Sequence, residues 1–264
     1  MVKIEPGIYD VGSTGLQMKS YVDLEGTGQE ATVIRGEGGS SDASSGVVLG
    51  AASSEIRDLQ VQANSTATST VAILMPSGGN SNVRDVTVSS IGTQAAWGIR
   101  NVSGAAVKVE GSTVTTTSSG SQDGYGISSK LNGSALVVKR TVISVSGGTG
   151  RRYGISAFTT AAISEVRDVE INVSSSNVLD YGVYTDSLSS STTSLFNSSI
   201  TATRFGVEHS GDVLVDNCVI AGGDASVVSS GGGIGATRLD GSAFGPTCAG
   251  VYDASFTFYS STCP

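Results

Sequence analysis

The sequence predicts an all-β protein built as a parallel β-solenoid of about eight or nine coils. A short aromatic–glycine–aliphatic segment recurs at intervals of 24 to 28 residues, and a second strand-like segment follows each copy. Stretches rich in Ser, Gly, Asn and Thr, which are typical of turns, separate these segments. A fixed period of this length indicates a repeat architecture, in which each coil offers the same cross-section to its neighbour.

Composition favours strands over helices. The chain has 264 residues, of which only 14% are charged and 36 are glycine. Ser, Thr, Gly and Val are mediocre or poor helix formers, and no long stretch carries apolar residues at helical spacing. Regularly spaced Val and Ile argue against disorder.

Charge and the N-terminus limit the partners and the location. The formal net charge of −8 argues against nucleic acid, because phosphate binding needs clustered Lys and Arg. No apolar run approaches the roughly 20 residues that span a bilayer, so no membrane insertion is expected. The opening MVKIEPGIYD begins as a strand, without the parts of a signal peptide. Two interpretations follow: a cytosolic protein, or an extracellular or cell-surface protein whose leader is not present in this sequence, and we expect the second.

The first strand of each repeat contains the aromatic–glycine–aliphatic segment. Copies begin at Val47, Val71, Trp97, Tyr125, Tyr153, Tyr181 and Phe205. Strict alternation of side chains would place the aromatic and aliphatic residues inside the solenoid and the glycine outside. The aromatic column is then predicted to be a stacked core rather than a platform for sugars.

The second strand carries a recurring Arg–Asp pair. The matching copies are Arg57–Asp58, Arg84–Asp85 and Arg167–Asp168. We interpret them as corners where Arg neutralises Asp and the carboxylate accepts hydrogen bonds from turn amides. The alternative is a stack of aspartates that raise one another's pKa and act as an acid/base pair.

The repeats are expected to form one domain with capped ends, because the ends of a solenoid expose unpaired strands. Its parts are N-terminal coils at 1–46, repeat coils at 47–240 and a C-terminal cap at 241–264, within a single domain at 1–264. Cys248 and Cys263 bracket the last segment and are the candidate disulfide, which would imply an oxidising compartment. Cys218 is expected to be a free thiol on a strand.

Two stretches resemble a known superfamily. The opening VKIEPGIYDVGSTGLQMKSYVDLEGTGQEATVIRG resembles the first coils of right-handed parallel β-helix proteins of the pectate-lyase-like superfamily. The YG[IV] repeats and the ending GATRLDGSAFGPTCAGVYDASFTFYSSTCP resemble extracellular bacterial β-helix repeat proteins. The resemblance covers essentially the whole chain and implies a single-stranded right-handed parallel β-helix.

The enzymes of this superfamily have motifs that the sequence does not carry. It has no match to the G-x-x-D-F-[IV]-[FY]-G segment of pectin esterases, to the N-T-D, D-D and G-H-G elements of polygalacturonases, or to the acidic calcium cluster of pectate lyases. These absences lower the expectation of an enzyme. They leave it open, since β-helix active sites are assembled across coils and need no linear motif. No metal or organic cofactor is expected.

The outward face of the first strand is the predicted ligand site. The glycine column would form a bare floor there, and the candidate ligand-binding residues on its walls are Arg152, Asp180, Tyr184, Arg204 and Glu208. A flat backbone, an aromatic face and charged groups suit an extended glycan. Asp180 and Glu208 are also the candidate carboxylate pair for glycoside hydrolysis. The alternative is that glycine serves coil geometry and that the charges are ordinary surface residues.

These observations predict a non-catalytic secreted or cell-surface module that is structural, carbohydrate-binding or both. Its expected partner is a polysaccharide or a cell-surface glycan. The alternative is a polysaccharide-active lyase or glycoside hydrolase that acts along the glycine-floored face. A third hypothesis is that this face packs against a second copy of the chain, or that the chain belongs to a larger parent protein.

Overall fold

The chain forms an all-β parallel β-solenoid in a computed structural model, and the described residues contain no helix. The structure describes residues 1–39, 45–66, 69–75, 79–102, 104, 106–130, 134–159, 161–175, 179–186 and 191–264. The strands are β1 (Val2–Lys3), β2 (Gly7–Asp10), β3 (Leu16–Gln17), β4 (Leu24–Glu25), β5 (Thr32–Gly36), β6 (Val48–Leu49), β7 (Glu55–Ser65), β8 (Ser69–Met75), β9 (Ser81–Gly92), β10 (Ala95–Asn101), β11 (Ala106–Glu110), β12 (Thr113–Ser118), β13 (Gly124–Ser129), β14 (Ala135–Lys139), β15 (Val142–Ser146), β16 (Arg152–Ala157), β17 (Ala162–Arg167), β18 (Glu170–Ser174), β19 (Asp180–Thr185), β20 (Thr192–Phe196), β21 (Ser199–Ala202), β22 (Phe205–Asp216), β23 (Val219–Gly222), β24 (Ala225–Gly235), β25 (Arg238–Asp240), β26 (Ala243–Phe244), β27 (Thr247–Ala249), β28 (Val251–Asp253) and β29 (Phe258–Tyr259).

Three parallel sheets run along the solenoid. The first sheet has the order β3-β6-β8-β10-β13-β16-β19-β22-β24-β26 and contains the aromatic–glycine–aliphatic segments. The second has the order β1-β4-β7-β9-β11-β14-β17-β20-β22-β24-β27, and the third β2-β5-β7-β9-β12-β15-β18-β21-β23-β25-β28. Strands β7, β9, β22 and β24 turn a corner and contribute to two sheets each. The predicted parallel β-helix is confirmed.

The solenoid has about seven turns, close to the predicted eight or nine coils. The ends are less regular than the middle, since strands β1 to β4 have only two to four residues. At the C-terminus, β29 pairs antiparallel with β28 and ends the parallel stack. The predicted disulfide is present there: Cys248 and Cys263 are bonded with a Cα–Cα distance of 5.1 Å.

Left-handed corner residues connect the second sheet to the third. Asp58, Asp85 and Asp168 have φ angles of 54°, 53° and 55°. Asp tolerates this conformation better than most residues. The recurring Arg–Asp pair therefore marks a corner, as interpreted from the sequence. Neutralisation within the pair is close only at Arg84–Asp85, at 3.0 Å, because Arg57 and Arg167 make their shortest ion pairs with glutamates.

A buried column of polar side chains follows these corners. Each member donates to the carbonyl two residues earlier; the members are Ser112, Thr141, Ser198, Cys218 and Thr237. Cys218 is a free buried thiol, as predicted, and it occupies the place that a hydroxyl residue has in neighbouring coils. Burial raises its pKa to about 11. A protonated, buried thiol is unreactive, so its role is structural.

The core contradicts the strict alternation predicted for the first strand. Both the glycine and the following aliphatic residue face inward: a Cβ on Gly154 would lie 2.4 Å from Ile171 Cγ2, while Ile155 is completely buried in the core. The aromatic residue before the glycine faces outward instead. The glycines are therefore required by the close approach of the third sheet, and they do not form an outer floor.

Candidate functional site

A ladder of stacked rings lies on the outer face of the first sheet. Its members are Trp97, Tyr125, Tyr153, Tyr181 and Phe205, with centroids 5.0–5.4 Å apart and planes within 13°. This spacing follows from strand pairing, because neighbouring strands lie about 4.8 Å apart and the rings occupy the same register position. The predicted aromatic column is thus real, but it lies outside the solenoid and not in its interior.

Two further rings cover the middle of the ladder. Phe158 lies edge-on to Tyr153 at 5.6 Å, and Tyr184 contacts Tyr153 and Tyr181 at 5.2 and 4.8 Å. Tyr153 is only 1% exposed as a result. We call the seven rings of this surface, the ladder with Phe158 and Tyr184, the aromatic face. Since its rings pack on one another, a ligand would meet their edges and hydroxyl groups.

Polar contacts hold the tyrosine hydroxyls of the ladder. Tyr125 donates to Asp123 Oδ2 at 3.0 Å, and Asp123 Oδ1 accepts the Arg151 amide at 3.0 Å. Arg151 is exposed, and the nearby Tyr153 hydroxyl raises the pKa of its guanidinium. Burial raises the pKa of Tyr181 to about 12, with the nearby Glu208 carboxylate adding to the shift. These hydroxyls therefore stay protonated near neutral pH and can donate hydrogen bonds.

Arg152 and Asp180 are not on an exposed wall. Arg152 is completely buried, and its guanidinium donates to the carbonyls of Ser118, Gln122, Gly147 and Arg151 at 2.6–3.2 Å. Asp180 is completely buried in the adjacent coil and accepts the Ser175 amide at 2.8 Å. The positions predicted for these two residues are wrong, because their row faces the corner between the third and first sheets.

The other three predicted residues do border the aromatic face. Tyr184 belongs to it, and Glu208 sits beside Tyr184 in the next coil. Arg204 forms an ion pair with Asp224, and its guanidinium lies 5.4 Å from the Phe205 ring centroid. Glu208 is half-buried, and burial alone raises its pKa. It forms no hydrogen bond or ion pair with any residue that the structure describes.

The structure does not bring the predicted carboxylate pair to one surface. Asp180 is enclosed, whereas Glu208 borders the outer face. Asp186 is the carboxylate that sequence reasoning missed there: it accepts the Thr159 amide at 2.7 Å, and burial raises its pKa. The sequence signal for Asp186 was its position directly after the strand that contains the YG[IV] segment.

A bare glycine surface does exist, but on the second sheet near the C-terminus. A shallow groove of about 330 Å³ is lined mostly by apolar and glycine residues, among them Phe196, Leu214, Gly233 and Gly235, together with Asp216 and Thr247. A Cβ on Gly233 would have no neighbour closer than 3.9 Å. Sequence reasoning missed this groove, although the run SGGGIG was its signal.

In the part of the chain that the structure describes, we find neither a candidate metal site nor a helix that could span a membrane. No group of three or more His, Cys, Asp and Glu side chains there has an arrangement that could hold a metal ion. None of its segments is a helix able to cross a bilayer.

Comparison with solved structures identifies proteins of similar fold. The A-module of mannuronan C-5 epimerase AlgE6 from Azotobacter vinelandii matches with a TM-score of 0.59 and 14% identity, over 97% of this chain and 74% of that one. ORF18 of Geobacillus virus E2 matches with a TM-score of 0.48 and 11% identity, over 99% of this chain and 55% of that one. Pectin methylesterase from carrot matches with a TM-score of 0.39 and 14% identity, over 72% of this chain and 74% of that one. No protein-family model and no curated protein matches the sequence. The match to the epimerase module therefore supports the fold alone, which is a parallel β-helix.

Proposed function

We propose that the chain is a non-catalytic, secreted or cell-surface β-helix module that binds an extended polysaccharide across the aromatic face. The observation that carries the proposal is Glu208, a half-buried carboxylate without a partner among the described residues, placed beside Tyr184. A desolvated carboxylate is costly unless donors satisfy it. Sugar hydroxyls are donors of the right kind.

The shape of the aromatic face suits a chain-like ligand. Four ring-to-ring steps of 5.0–5.4 Å make the ladder roughly 20 Å long. Trp97 and Phe205 at its ends are half-buried and not fully covered, and tyrosine hydroxyls lie between them. An amphipathic strip of this kind offers apolar ring edges to the carbon faces of sugars and polar groups to their hydroxyls.

Two observations support a location outside the cell. The Cys248–Cys263 bond belongs to an oxidising environment, where such bonds persist. The epimerase module from Azotobacter vinelandii, which has a similar fold, is named for action on mannuronan, a polysaccharide. A polysaccharide ligand and a secreted or surface-exposed module are consistent with each other.

A catalytic role is the second candidate, and one observation favours it. Glu208 is a half-buried carboxyl in register with Tyr184, and burial raises its pKa, which is the direction that a general acid requires. The Tyr184 hydroxyl in the neighbouring coil could assist as a second proton donor. Glu208 would then act on a glycosidic bond of the polysaccharide, as in a hydrolase or lyase.

The test is a binding and activity panel with purified protein. Calorimetry would measure affinity for diverse polysaccharides, and reducing-end and 235 nm absorbance assays would measure cleavage. We expect binding without cleavage, and Tyr184→Ala to weaken binding at least tenfold, which corresponds to about 1.4 kcal/mol.

The matched control is Tyr9→Ala, which truncates a 39% exposed tyrosine on the third sheet. It should bind as the wild type does. Absence of binding to every polysaccharide, or equal loss in both variants, would contradict the proposal. Cleavage of a polysaccharide by the wild type, but not by Glu208→Gln, would show that the chain is an enzyme and not a non-catalytic module.

A further inference from the structure

The groove on the second sheet near the C-terminus has a floor whose glycines are not required by packing. Three residues of β24 form this floor: Gly231, Gly233 and Gly235. A Cβ would have no neighbour closer than 3.9 Å at Gly233 and 3.5 Å at Gly235. Side chains would therefore fit there, in contrast to the inward Gly154, where a Cβ would lie 2.4 Å from a neighbour. The recess is thus open surface and not a result of close packing.

One wall of the groove is β22, where exposed side chains alternate with buried ones. The exposed residues of this wall are Asp212, Leu214 and Asp216. Leu214 is 47% exposed, and the half-buried ring of Phe196 on β20 lies beside Asp216 in register. The wall therefore combines apolar surface with a carboxylate at each end.

The two carboxylates of this wall are not engaged within the part of the chain that the structure describes. Asp212 and Asp216 take part in no ion pair there, and the hydrogen bond from the Cys218 thiol goes to the backbone carbonyl of Asp216. Elsewhere on this sheet acidic side chains are paired; Glu165, for example, contacts Lys139 at 2.6 Å. Free negative charge beside exposed apolar surface is complementary to a ligand that is basic and partly apolar.

The dimensions of the groove match one extended polypeptide. Strands β22 and β27 lie two strand spacings apart across β24, which is about 10 Å. Along β22 the two carboxylates are four residues apart, about 13 Å, with Leu214 midway between them. An extended peptide has the same rise per residue, so its side chains at positions i, i+2 and i+4 can meet the three wall residues in turn. This two-residue repeat favours a polypeptide over a glycan.

We propose that the groove binds an extended basic segment of a partner protein, with Lys or Arg at positions i and i+4 and an apolar residue at i+2. The two basic side chains pair with Asp212 and Asp216, and the apolar residue packs on Leu214. The main chain of the partner lies over Gly233 and Gly235, where no side chain keeps it away. This site lies on a different sheet from the aromatic face and does not depend on polysaccharide binding there.

The probe is a dye-labelled peptide with the central sequence Lys-Thr-Leu-Thr-Lys, in which the β-branched Thr residues favour an extended conformation. Fluorescence anisotropy at fixed ionic strength measures its affinity and that of a matched Glu-Thr-Leu-Thr-Glu peptide. We expect the basic peptide to bind at least tenfold more tightly, because it makes two ion pairs where the acidic peptide makes two like-charge contacts. Equal affinity of the two peptides would overturn the proposal.

Charge reversal separates the groove from net charge. Asp212→Lys combined with Asp216→Lys should invert the preference, so that the acidic peptide binds more tightly. The matched control is Glu5→Lys combined with Glu30→Lys, which changes the net charge equally on two exposed carboxylates in the first coils. This control should keep the preference for the basic peptide. Equal effects of the two double variants would show a response to net charge only and would contradict the proposal.

Gly233→Val tests the floor with both carboxylates in place. Its side chain has room on the surface, so the protein should fold, but it fills the path of the partner main chain. We expect at least a tenfold loss of affinity for the basic peptide, and unchanged affinity would contradict the proposed path. Glucosamine oligomers are the last probe. If they bind more tightly than the peptide and lose binding on charge reversal, the occupant is a basic glycan and the proposal is wrong.

Discussion

His209 shows how one residue in this fold is held in a single protonation state. It is the only histidine and is 2% exposed. Nδ1 accepts the Gly211 amide at 2.7 Å, so Nε2 carries the proton and donates to Thr193 Oγ1 at 2.6 Å. Thr193 donates onward to the Ile163 carbonyl. Burial lowers the pKa of His209 to about 4, and protonation of Nδ1 would break the bond from Gly211.

This arrangement predicts a pH-dependent stability. The unfolded chain takes up the histidine proton near pH 6.5, but the folded chain does so only near pH 4. The contribution of His209 to the free energy of unfolding is therefore complete above pH 6.5 and falls as pH drops towards 4, by about 3 kcal/mol in total. Urea unfolding of the wild type and His209→Gln at neutral and acidic pH measures the difference. Equal pH dependence of the two proteins would contradict it.

At the scale of a strand, the glycine of the aromatic–glycine–aliphatic segment is the critical element. Gly154 faces Ile171 of the third sheet and the Gly182 carbonyl of the next coil, at 2.4 and 2.5 Å from a hypothetical Cβ. Real side chains do not approach so closely, and a rigid core resists the shift that would be needed. The recurring glycine is thus a consequence of the narrow distance between two sheets.

Gly154→Ala is therefore expected to lower the free energy of unfolding by about 2 kcal/mol, within the range for overpacked cores. Gly233→Ala is the control, because its Cβ would have 3.9 Å of space on the outer surface of the second sheet. Chemical unfolding of both variants measures the difference. A tolerated alanine at 154, or equal losses at both positions, would show that the inward glycine is not a packing requirement.

The strands also show how far the sequence predicts this protein. The period of the YG[IV] segments was enough to predict parallel coils, since stacking requires equal cross-sections. The predicted exposed position of Arg152 and Asp180 is wrong. It depended on strict alternation of inward and outward side chains along the strand, and two successive inward residues, Gly154 and Ile155, break that alternation. Such a local break leaves no signal in a single sequence. Tyr184 and Glu208 are half-buried and lie in register in neighbouring coils, and their role in ligand binding stays a prediction.

At the scale of the whole molecule, the three outer surfaces differ. The second sheet carries ion pairs, such as Arg84–Glu55 and Lys139–Glu165 at 2.9 and 2.6 Å. The third sheet is rich in exposed hydroxyl residues, such as Thr113 and Thr115. The rings are concentrated on the first sheet, where they form a continuous surface from Trp97 to Phe205. We propose that a polysaccharide binds on this side of the solenoid.

The most direct test is NMR of protein with labelled tyrosines, titrated with a polysaccharide that binds. Four of the eight tyrosines belong to the aromatic face, at 125, 153, 181 and 184, and four lie elsewhere, at 9, 21, 252 and 259. The account predicts that ligand shifts the resonances of the first four, with the largest change at Tyr184. Shifts confined to the other four, or binding that moves none of them, would contradict it.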